Sequence, residues 1–371
     1  MLFGFKSSLV ASSMSVMTLA VGLTFSPLTN QKSLAQTTPT QLNVLYANFL
    51  NALFSGQNGW LATYGAPAPA VNPNVRFDSA TAGGGAVVSA FLSRTPPSGT
   101  VSSPLSFAAV AAPLTAAQIA QNPAAVQAPL VGGAVALAYN PGLPSGIRLS
   151  RATYVGILNG SITNWNSSTI AADNPGKQLP NLRIRVVYRS DSSGTTFVLT
   201  NHLNTVASAS WNRGVGNTVS WPSGFIGASG SSALINTVRN TPGAIGYVDN
   251  PAVSGTTLKV ASLRNQAGNY VAPTAAATTA ALSGASDSDP RTNIITVNVA
   301  NPTQATAYPI VGVGYGLFYP SYSNSGITAG IKGFVNWALG SQGDSIATSK
   351  GYGPLPAALE TSARNAVNGI R

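Results

Sequence analysis

Residues 186–203 read VVYRSDSSGTTFVLTNHL, and this stretch decides the architecture. The run from Arg183 to Tyr188 alternates in the manner of a β-strand, and the run from Phe197 to Leu203 favours an α-helix. The short polar segment between them therefore predicts a strand that turns directly into a helix. Free backbone N–H groups and the positive end of the helix dipole meet at such a helix N-terminus, which makes it a ready site for an anion.

The side chains at this junction suit an oxyanion. Arg189 has the planar guanidinium that can hold an oxyanion through two hydrogen bonds, and Asp191 is placed to orient it. Ser193 and Thr195 add two hydroxyl donors, and Gly194 lets the backbone come close to a ligand. An ordinary Ser/Thr-capped helix with a surface Arg–Asp pair is the alternative, and the segment alone does not exclude it.

A second junction of this kind is Thr81-Ala82-Gly83-Gly84-Gly85, between a strand around Val75–Phe77 and a helical run from Ala86 to Leu92. Three glycines cost stability at a helix start unless a ligand or another backbone has to approach closely. A plain tight turn is the alternative. Two such junctions in one chain suit an anion held between two helix N-termini.

Strand-like and helix-like runs alternate along the rest of the chain, which predicts an α/β architecture. The further strand-like runs are 107–111, 132–139, 243–248 and 308–319, and the further helix-like runs are 116–120, 273–282 and 331–339. A length of 371 residues is compatible with two domains of ordinary size.

Composition excludes several classes of function. The chain has no cysteine and one histidine, His202, so disulfides, thiol nucleophiles and histidine-rich metal sites are excluded. Charged residues make up only 7%, and the formal net charge of +11 comes mainly from scarce acids. No clustered basic stripe is present, which argues against a nucleic-acid partner. A diffuse positive field would instead raise the local concentration of a small anion.

The first 35 residues read as a secretory signal peptide. Lys6 supplies the positive region, Leu9 to Phe25 is an uncharged apolar stretch, and Ser33-Leu34-Ala35 is a small-x-small cleavage site. An uncleaved membrane anchor is the alternative, although Ser and Thr dilute the apolar stretch. We therefore expect a periplasmic or extracellular mature protein that is monomeric.

Seven motifs, in order, resemble those of the periplasmic phosphate-binding proteins that serve the high-affinity phosphate ABC transporter. They are GILNGSITNWN (156–166), RSDSSGTTFVLTNHL (189–203), VSWPSG (219–224), GAIGYVDN (243–250), YPIVGVGYGLF (308–318), FVNWAL (334–339) and YGPLP (352–356). The resemblance implies a type II periplasmic-binding-protein fold, in which two α/β lobes joined by a two-crossover hinge enclose the ligand in a cleft. It implies a lobe one of residues 37–131 plus 307–371 and a lobe two of residues 132–306, with crossovers near Gly132-Gly133 and Tyr308-Pro309.

Carried over by this resemblance, Arg189, Asp191, Ser193, Gly194 and Thr195 match the family's binding loop in lobe two. The expected ligand residues in lobe one are Asn48, which stands where the family has Thr, together with Phe49 and Gly83.

Two lobe-one positions depart from the family. The family's Ser before the glycines is Ala82 here, and its acidic residue before Ala-Pro-Leu is Ala111. That carboxylate is expected to accept the proton of a protonated phosphate, so its loss puts strict selectivity for phosphate over sulfate in doubt.

The resemblance implies a solute-binding protein without catalytic residues, metal or cofactor, which delivers inorganic phosphate or a related oxyanion to ABC permease subunits. Two other functions stay open on the same fold. A phosphatase-like enzyme would need His202 as its base, and no G-x-S-x-G motif is present. A sensory or surface protein with altered oxyanion selectivity is compatible with the changes at Asn48, Ala82 and Ala111.

Overall fold

The computed structural model describes residues 38–67, 69–287 and 293–371. The predicted signal peptide, residues 1–35, lies outside the described residues. The strands are Thr40–Ala47 (β1), Gly65–Ala66 (β2), Asn72–Ala82 (β3), Phe107–Val110 (β4), Val126–Tyr139 (β5), Arg148–Leu149 (β6), Arg185–Arg189 (β7), Ile226–Ala228 (β8), Ala244–Asp249 (β9), Lys259–Val260 (β10), Ser262–Arg264 (β11), Tyr270–Val271 (β12), Ser286–Asp287 (β13), Val297–Asn298 (β14) and Val311–Phe318 (β15).

Helices follow most of the parallel strands, so the predicted α/β architecture is confirmed. They are Asn51–Phe54 (α1), Trp60–Tyr64 (α2), Gly84–Ser93 (α3), Ala116–Gln121 (α4), Arg151–Asn159 (α5), Ser168–Asp173 (α6), Gly194–Ala207 (α7), Ser231–Asn240 (α8), Ala275–Leu282 (α9), Ser325–Ala338 (α10), Ser341–Ser349 (α11) and Ala357–Asn368 (α12). Across the described ranges, no helix has the length and apolar character needed to cross a membrane.

One curled sheet of ten strands runs through the described chain in the order β2-β3-β1-β4-β15-β5-β9-β7-β8, with β10 paired to β5. In its first half, β2, β3, β1 and β4 are parallel, and in its second half β9, β7 and β8 are parallel. The two long central strands β5 and β15 pair antiparallel and join the halves. Every residue of both is buried, which explains their nearly continuous apolar sequence.

The long strand β5 changes partner halfway along its length. Its residues up to Ala134 pair with β15, and its residues from Val135 onward pair with β9. The change falls next to Gly132-Gly133, where a crossover between lobes is predicted, while the lobe boundaries themselves stay a prediction.

The carboxyl ends of parallel strands from both halves of the sheet lie close together. The residues Asn48, Gly83 and Ala111 directly follow β1, β3 and β4, and the residues after β7 and β8 lead into α7 and α8. Ligands in open α/β sheets bind outside the carboxyl ends of parallel strands. The topology therefore brings the two junctions predicted from the sequence to one interlobe edge.

Candidate functional site

The loop after β7 leads through Ser193 into the first turn of α7, which begins with Gly194 and Thr195. Ser193 caps the helix, because its Oγ accepts a hydrogen bond from the Thr196 backbone N–H at 3.4 Å. Its own N–H donates to the Asn217 carbonyl oxygen at 2.9 Å, which anchors the loop. The first N–H groups of a helix have no partner inside the helix. Gly194 and Thr195 therefore turn their backbone donors toward the interlobe edge.

Arg189 is held rigidly at the end of β7. Its Nε donates to Asp191 Oδ1 at 2.7 Å, its Nη2 to Asp191 Oδ2 at 2.5 Å, and its Nη1 to Ser231 Oγ at 3.0 Å. The Arg189 side chain is only 2% exposed. Asp191 also accepts from the Gly230 N–H at 2.9 Å. Burial raises the pKa of Asp191, but the hydrogen bonds from Arg189 and Gly230 outweigh burial and leave that pKa below its ordinary value, so Asp191 stays ionised.

The hydroxyl of Thr195 is one of four buried side-chain polar atoms that have no hydrogen-bond partner among the described residues, and it is the one at the start of α7. The residue is 1% exposed, and its Oγ1 makes no hydrogen bond within the described part of the chain. A buried hydroxyl without a partner costs about 1–3 kcal/mol. Such a cost is unusual in a helix cap that serves only structure, and it is removed if a ligand accepts the hydrogen bond.

The glycine junction of the first half lies against the binding loop of the second half. A Cβ on Gly83 would come within 2.8 Å of the Ser192 carbonyl oxygen, and one on Gly84 within 3.2 Å of the Gly194 nitrogen. The close neighbour that these glycines admit is therefore another backbone, one of the two causes considered from the sequence. The start of α3 thus packs against the start of α7.

Ala111 also reaches this point. A Cβ on Gly194 would lie 2.9 Å from the Cβ of Ala111, so position 111 contacts the start of α7. The residue at which the family's carboxylate is expected thus lies at the site, and its methyl group offers no acceptor there.

Asn48 and Phe49 lie at the end of β1 but have different surroundings. Asn48 is half-buried, and its Oδ1 accepts from Thr81 Oγ1 at 2.9 Å, which ties the first loop to the end of β3. The Phe49 ring is buried against Gly133, and its carbonyl oxygen accepts from Tyr352 Oη at 2.7 Å. Phe49 therefore fixes the loop by packing.

Two residues of the second half, Ser231 and Tyr247, complete the site and were not assigned from the sequence. Ser231 accepts from Arg189 and donates to Asp249 Oδ1 at 3.3 Å. Tyr247 Oη accepts from the Arg189 backbone N–H at 3.0 Å and lies 2.7 Å from Thr196 Oγ1. The signal that could have found Ser231 is the small, polar Ser229-Gly230-Ser231 between a strand and a helix.

His202 lies buried on α7, away from the helix start. Its Nε2 is 2.8 Å from Tyr154 Oη, and its Nδ1 is 2.6 Å from the Ala300 carbonyl oxygen. Burial lowers its pKa to about 4, which a hydrogen bond to Ala300 only partly offsets. Both ring nitrogens are occupied by structural partners, so His202 cannot serve a serine nucleophile as a base. Within the described ranges no group of His, Cys, Asp and Glu could hold a metal ion.

Two strand-to-helix junctions, one from each half of the sheet, lie against each other at the carboxyl ends of parallel strands. This arrangement is typical of ligand-binding proteins of the two-lobed class. A family model described as a PBP superfamily domain matches residues 52–342. The phosphate-binding protein PstS of Xylella fastidiosa strain 9a5c is 30% identical over 332 residues, which cover 88% of this chain and 85% of that protein. The PstS of Pasteurella multocida is 34% identical over 256 residues, which cover 68% and 73%. The chain therefore belongs to the phosphate-binding protein family of the PBP superfamily.

Solved structures show the same fold. A high-affinity periplasmic phosphate-binding protein solved with bound phosphate superimposes with a TM-score of 0.70 at 23% identity, covering 89% of this chain and 99% of that one. A phosphate-binding protein from Stenotrophomonas maltophilia gives a TM-score of 0.67 at 23% identity, with coverage of 88% and 93%. The predicted periplasmic-binding-protein fold is thereby confirmed.

Proposed function

We propose that this protein captures inorganic phosphate, or a closely related tetrahedral oxyanion, at the meeting point of α3 and α7 and delivers it to the permease of an ABC transporter. The observation that carries the proposal is the buried, unpartnered Thr195 hydroxyl beside the buried Arg189 guanidinium. Membership of the phosphate-binding family supports the identity of the anion.

Arg189 has donors left for such a ligand. A guanidinium has five N–H groups, and three of them donate to Asp191 and Ser231 within the described residues. Of the two that remain, one is on Nη1 and one is on Nη2. A charged N–H donor of this kind forms strong hydrogen bonds with an oxyanion.

We assign the ligand contacts as follows. Arg189 supplies the charge, Thr195 its hydroxyl, and Gly194 its backbone N–H group at the start of α7. Ser193 and Asp191 act mainly by holding that loop and the guanidinium in place, because both are already engaged with neighbours.

The first half contributes from the opposite side. Gly83 offers its backbone at the start of α3, and the Asn48 side chain can donate from the end of β1. Phe49 orders that loop through its buried ring. Residues 37–131 plus 307–371 and residues 132–306 are then the two lobes that close on the anion, and the change of partner along β5 supports this division.

Calorimetric titration of the mature protein with phosphate, arsenate and sulfate tests the function. We expect one phosphate per chain, bound at micromolar concentration or tighter, and no turnover of a phosphomonoester. Absence of heat with all three anions, or steady hydrolysis of the ester, would refute the proposal.

Export is the second part of the proposed function. The sequence Ser33-Leu34-Ala35 predicts cleavage after Ala35 and a free periplasmic or extracellular monomer. Intact-mass measurement of the protein recovered outside the cytoplasm should give the mass of residues 36–371. A recovered chain that still carries Met1 to Ala35 would contradict the prediction.

A further inference from the structure

A buried carboxyl group outside the predicted ligand set lies next to the anion site. Asp249 ends β9, beside the end of β7, and is only 2% exposed. Among the described residues, its side-chain hydrogen-bond partner is the Ser231 hydroxyl, which donates to Oδ1 at 3.3 Å. The same hydroxyl accepts from Arg189 Nη1. Asp249 is therefore one hydroxyl group away from the guanidinium.

Asp249 also lines a cavity that both halves share. This cavity has a volume of about 340 Å³ and is lined from the first half by Asn48 and Thr81, and from the second half by Ser231 and Asp249, among others. Asn48 is one of the proposed ligand residues. The Asp249 carboxyl and a proposed ligand residue of the other half therefore border the same cavity.

The charges around the site make the ionisation of Asp249 matter. Arg189 and Asp191 form an ion pair with no net charge. An ionised Asp249 would make the group negative and repel an arriving anion, whereas a neutral Asp249 would not. Among the described residues, the titratable groups that interact with this carboxyl are Arg189 on β7 and Tyr352 ahead of α12. Asp191 is paired with Arg189, and Tyr247 lies two residues earlier on β9.

In these surroundings the carboxyl group of Asp249 changes between its ionised and neutral forms near neutral pH. Burial raises the pKa of Asp249 to about 7, and its own backbone hydrogen bond, the attraction of Arg189 and the hydrogen bond of Ser231 lower it only in part. Both tyrosines stay neutral at this pH, because burial raises the pKa of Tyr247 to about 12 and raises that of Tyr352 well above its ordinary value. Arg189 is thus the only cation among these described groups, and ionised Asp249 and the arriving anion compete for its positive charge.

We propose that Asp249 takes up a proton when the oxyanion binds, so that capture of the anion by this protein is proton-coupled. The inference rests on the proposed function, since it concerns the same site. The balance is one proton from solvent to the Asp249 carboxylate for each anion bound by a protein whose Asp249 was ionised. By linkage, the anion raises the proton affinity of Asp249 and the proton raises the affinity for the anion by the same factor.

The linkage fixes the direction and size of the pH effect. Below the pKa of about 7, Asp249 already carries its proton and affinity is at its full value. One pH unit above it, only about a tenth of the free protein is in the protonated form, so the apparent Kd rises about tenfold. Phosphate itself also titrates in this range, and comparison with a variant that lacks the carboxylate removes that contribution.

The experiment is calorimetric titration with inorganic phosphate near pH 6 and pH 8, each in two buffers of different ionisation enthalpy, to count the protons taken up. The samples are the wild type, Asp249→Asn and the control Asp344→Asn. Asp344 is a half-buried carboxyl on α11, and burial together with the nearby Glu360 raises the pKa of Asp344 to about 6. We expect Asp249→Asn to match the wild type near pH 6 and to bind about tenfold more tightly near pH 8, with nearly one proton fewer taken up. Asp344→Asn should follow the wild type at both values.

Ser231→Ala gives a second reading if Asp249→Asn does not fold. Removing the hydroxyl that stabilises ionised Asp249 should move the loss of affinity to higher pH, and an unmoved profile would overturn the inference. Equal proton counts for the wild type and Asp249→Asn overturn it as well, as does weaker binding by the variant at both pH values. A wild type that binds no phosphate at either pH overturns the proposed function and this inference together, whereas bound phosphate without the extra proton overturns the inference alone.

Discussion

The two halves of the candidate site are built differently. In the second half, Arg189, Asp191 and Thr195 supply a buried charge, its counter-ion and a hydroxyl without a partner. In the first half, the corresponding edge consists of glycine backbone, the uncharged Asn48 side chain and the methyl group of Ala111. The charge lies on one side, and close backbone packing lies on the other.

This difference separates affinity from selectivity. Removing a partner from a buried charge is expensive, so the strength of binding should depend mainly on the second half. Discrimination between anions depends on a group that accepts or refuses a proton, and position 111 in the first half provides none. The protein should therefore bind oxyanions well and distinguish phosphate from sulfate poorly.

The largest expected effect is that of Arg189→Ala. Loss of the buried cation that is proposed to hold the anion should cost about 2–5 kcal/mol, or about 30-fold to several thousandfold in the Kd for phosphate, measured by calorimetry. The matched control is Arg185→Ala, which removes an exposed arginine from the same strand. If Arg189→Ala left the Kd within about threefold of the wild type, the second half would not be the source of affinity.

Ala111→Asp should sharpen the comparison by restoring a carboxylate to the first half. It would accept the hydrogen of a protonated phosphate and repel sulfate, because sites that require one hydrogen bond reject analogues lacking it strongly. We expect sulfate to bind at least about a hundredfold more weakly and phosphate to change less than about tenfold. Competition titrations with both anions measure this.

The control for this substitution is Ala111→Asn, which has the same shape without the charge and should not reject sulfate as strongly. A wild type that already ignores millimolar sulfate would contradict the idea. Selectivity would then have to come from an acid elsewhere, with Asp249 the nearer choice, because Asp78 is engaged with Ser102 at 2.6 Å.

Thr195→Val is the smallest of these effects and the most specific. Loss of one neutral hydrogen bond should weaken phosphate binding by about 0.5–1.5 kcal/mol, or about two- to thirteenfold. The same change removes a buried hydroxyl that has no partner, so the melting temperature of the free protein should stay level or rise. Thr195→Ser keeps the hydroxyl and should bind nearly as the wild type does. A melting temperature that falls together with affinity would mean that the hydroxyl serves the fold.

The fold and the second half of the site follow from local patterns in the sequence. The strand that ends at Arg189 is predicted by its alternating side chains, and the helix that starts at Gly194 is predicted by its N-terminal Ser and Thr residues and the helix-favouring run that follows. All of these signals lie within residues 186–203. Such local signals need no knowledge of the rest of the chain, and the structure confirms both elements.

The remaining parts of the site depend on contacts between distant segments. Gly83 meets Ser192 across the two halves, and Ser231 reaches Arg189 because β8 pairs with β7. Strand order and register set these contacts, and neither can be deduced from spacing along the chain. For the same reason the sequence left open whether the glycines admit a ligand or a backbone, and the structure shows a backbone.

The central claim is that the anion binds between the unpartnered Thr195 hydroxyl and the remaining Nη1 and Nη2 donors of Arg189. The most direct test is a crystal structure of the mature protein grown with phosphate and without sulfate. The account predicts one phosphate within about 3.2 Å of Arg189 Nη1 or Nη2 and of Thr195 Oγ1, at the start of α7. A phosphate bound elsewhere, with the Thr195 hydroxyl still unpartnered, would contradict it.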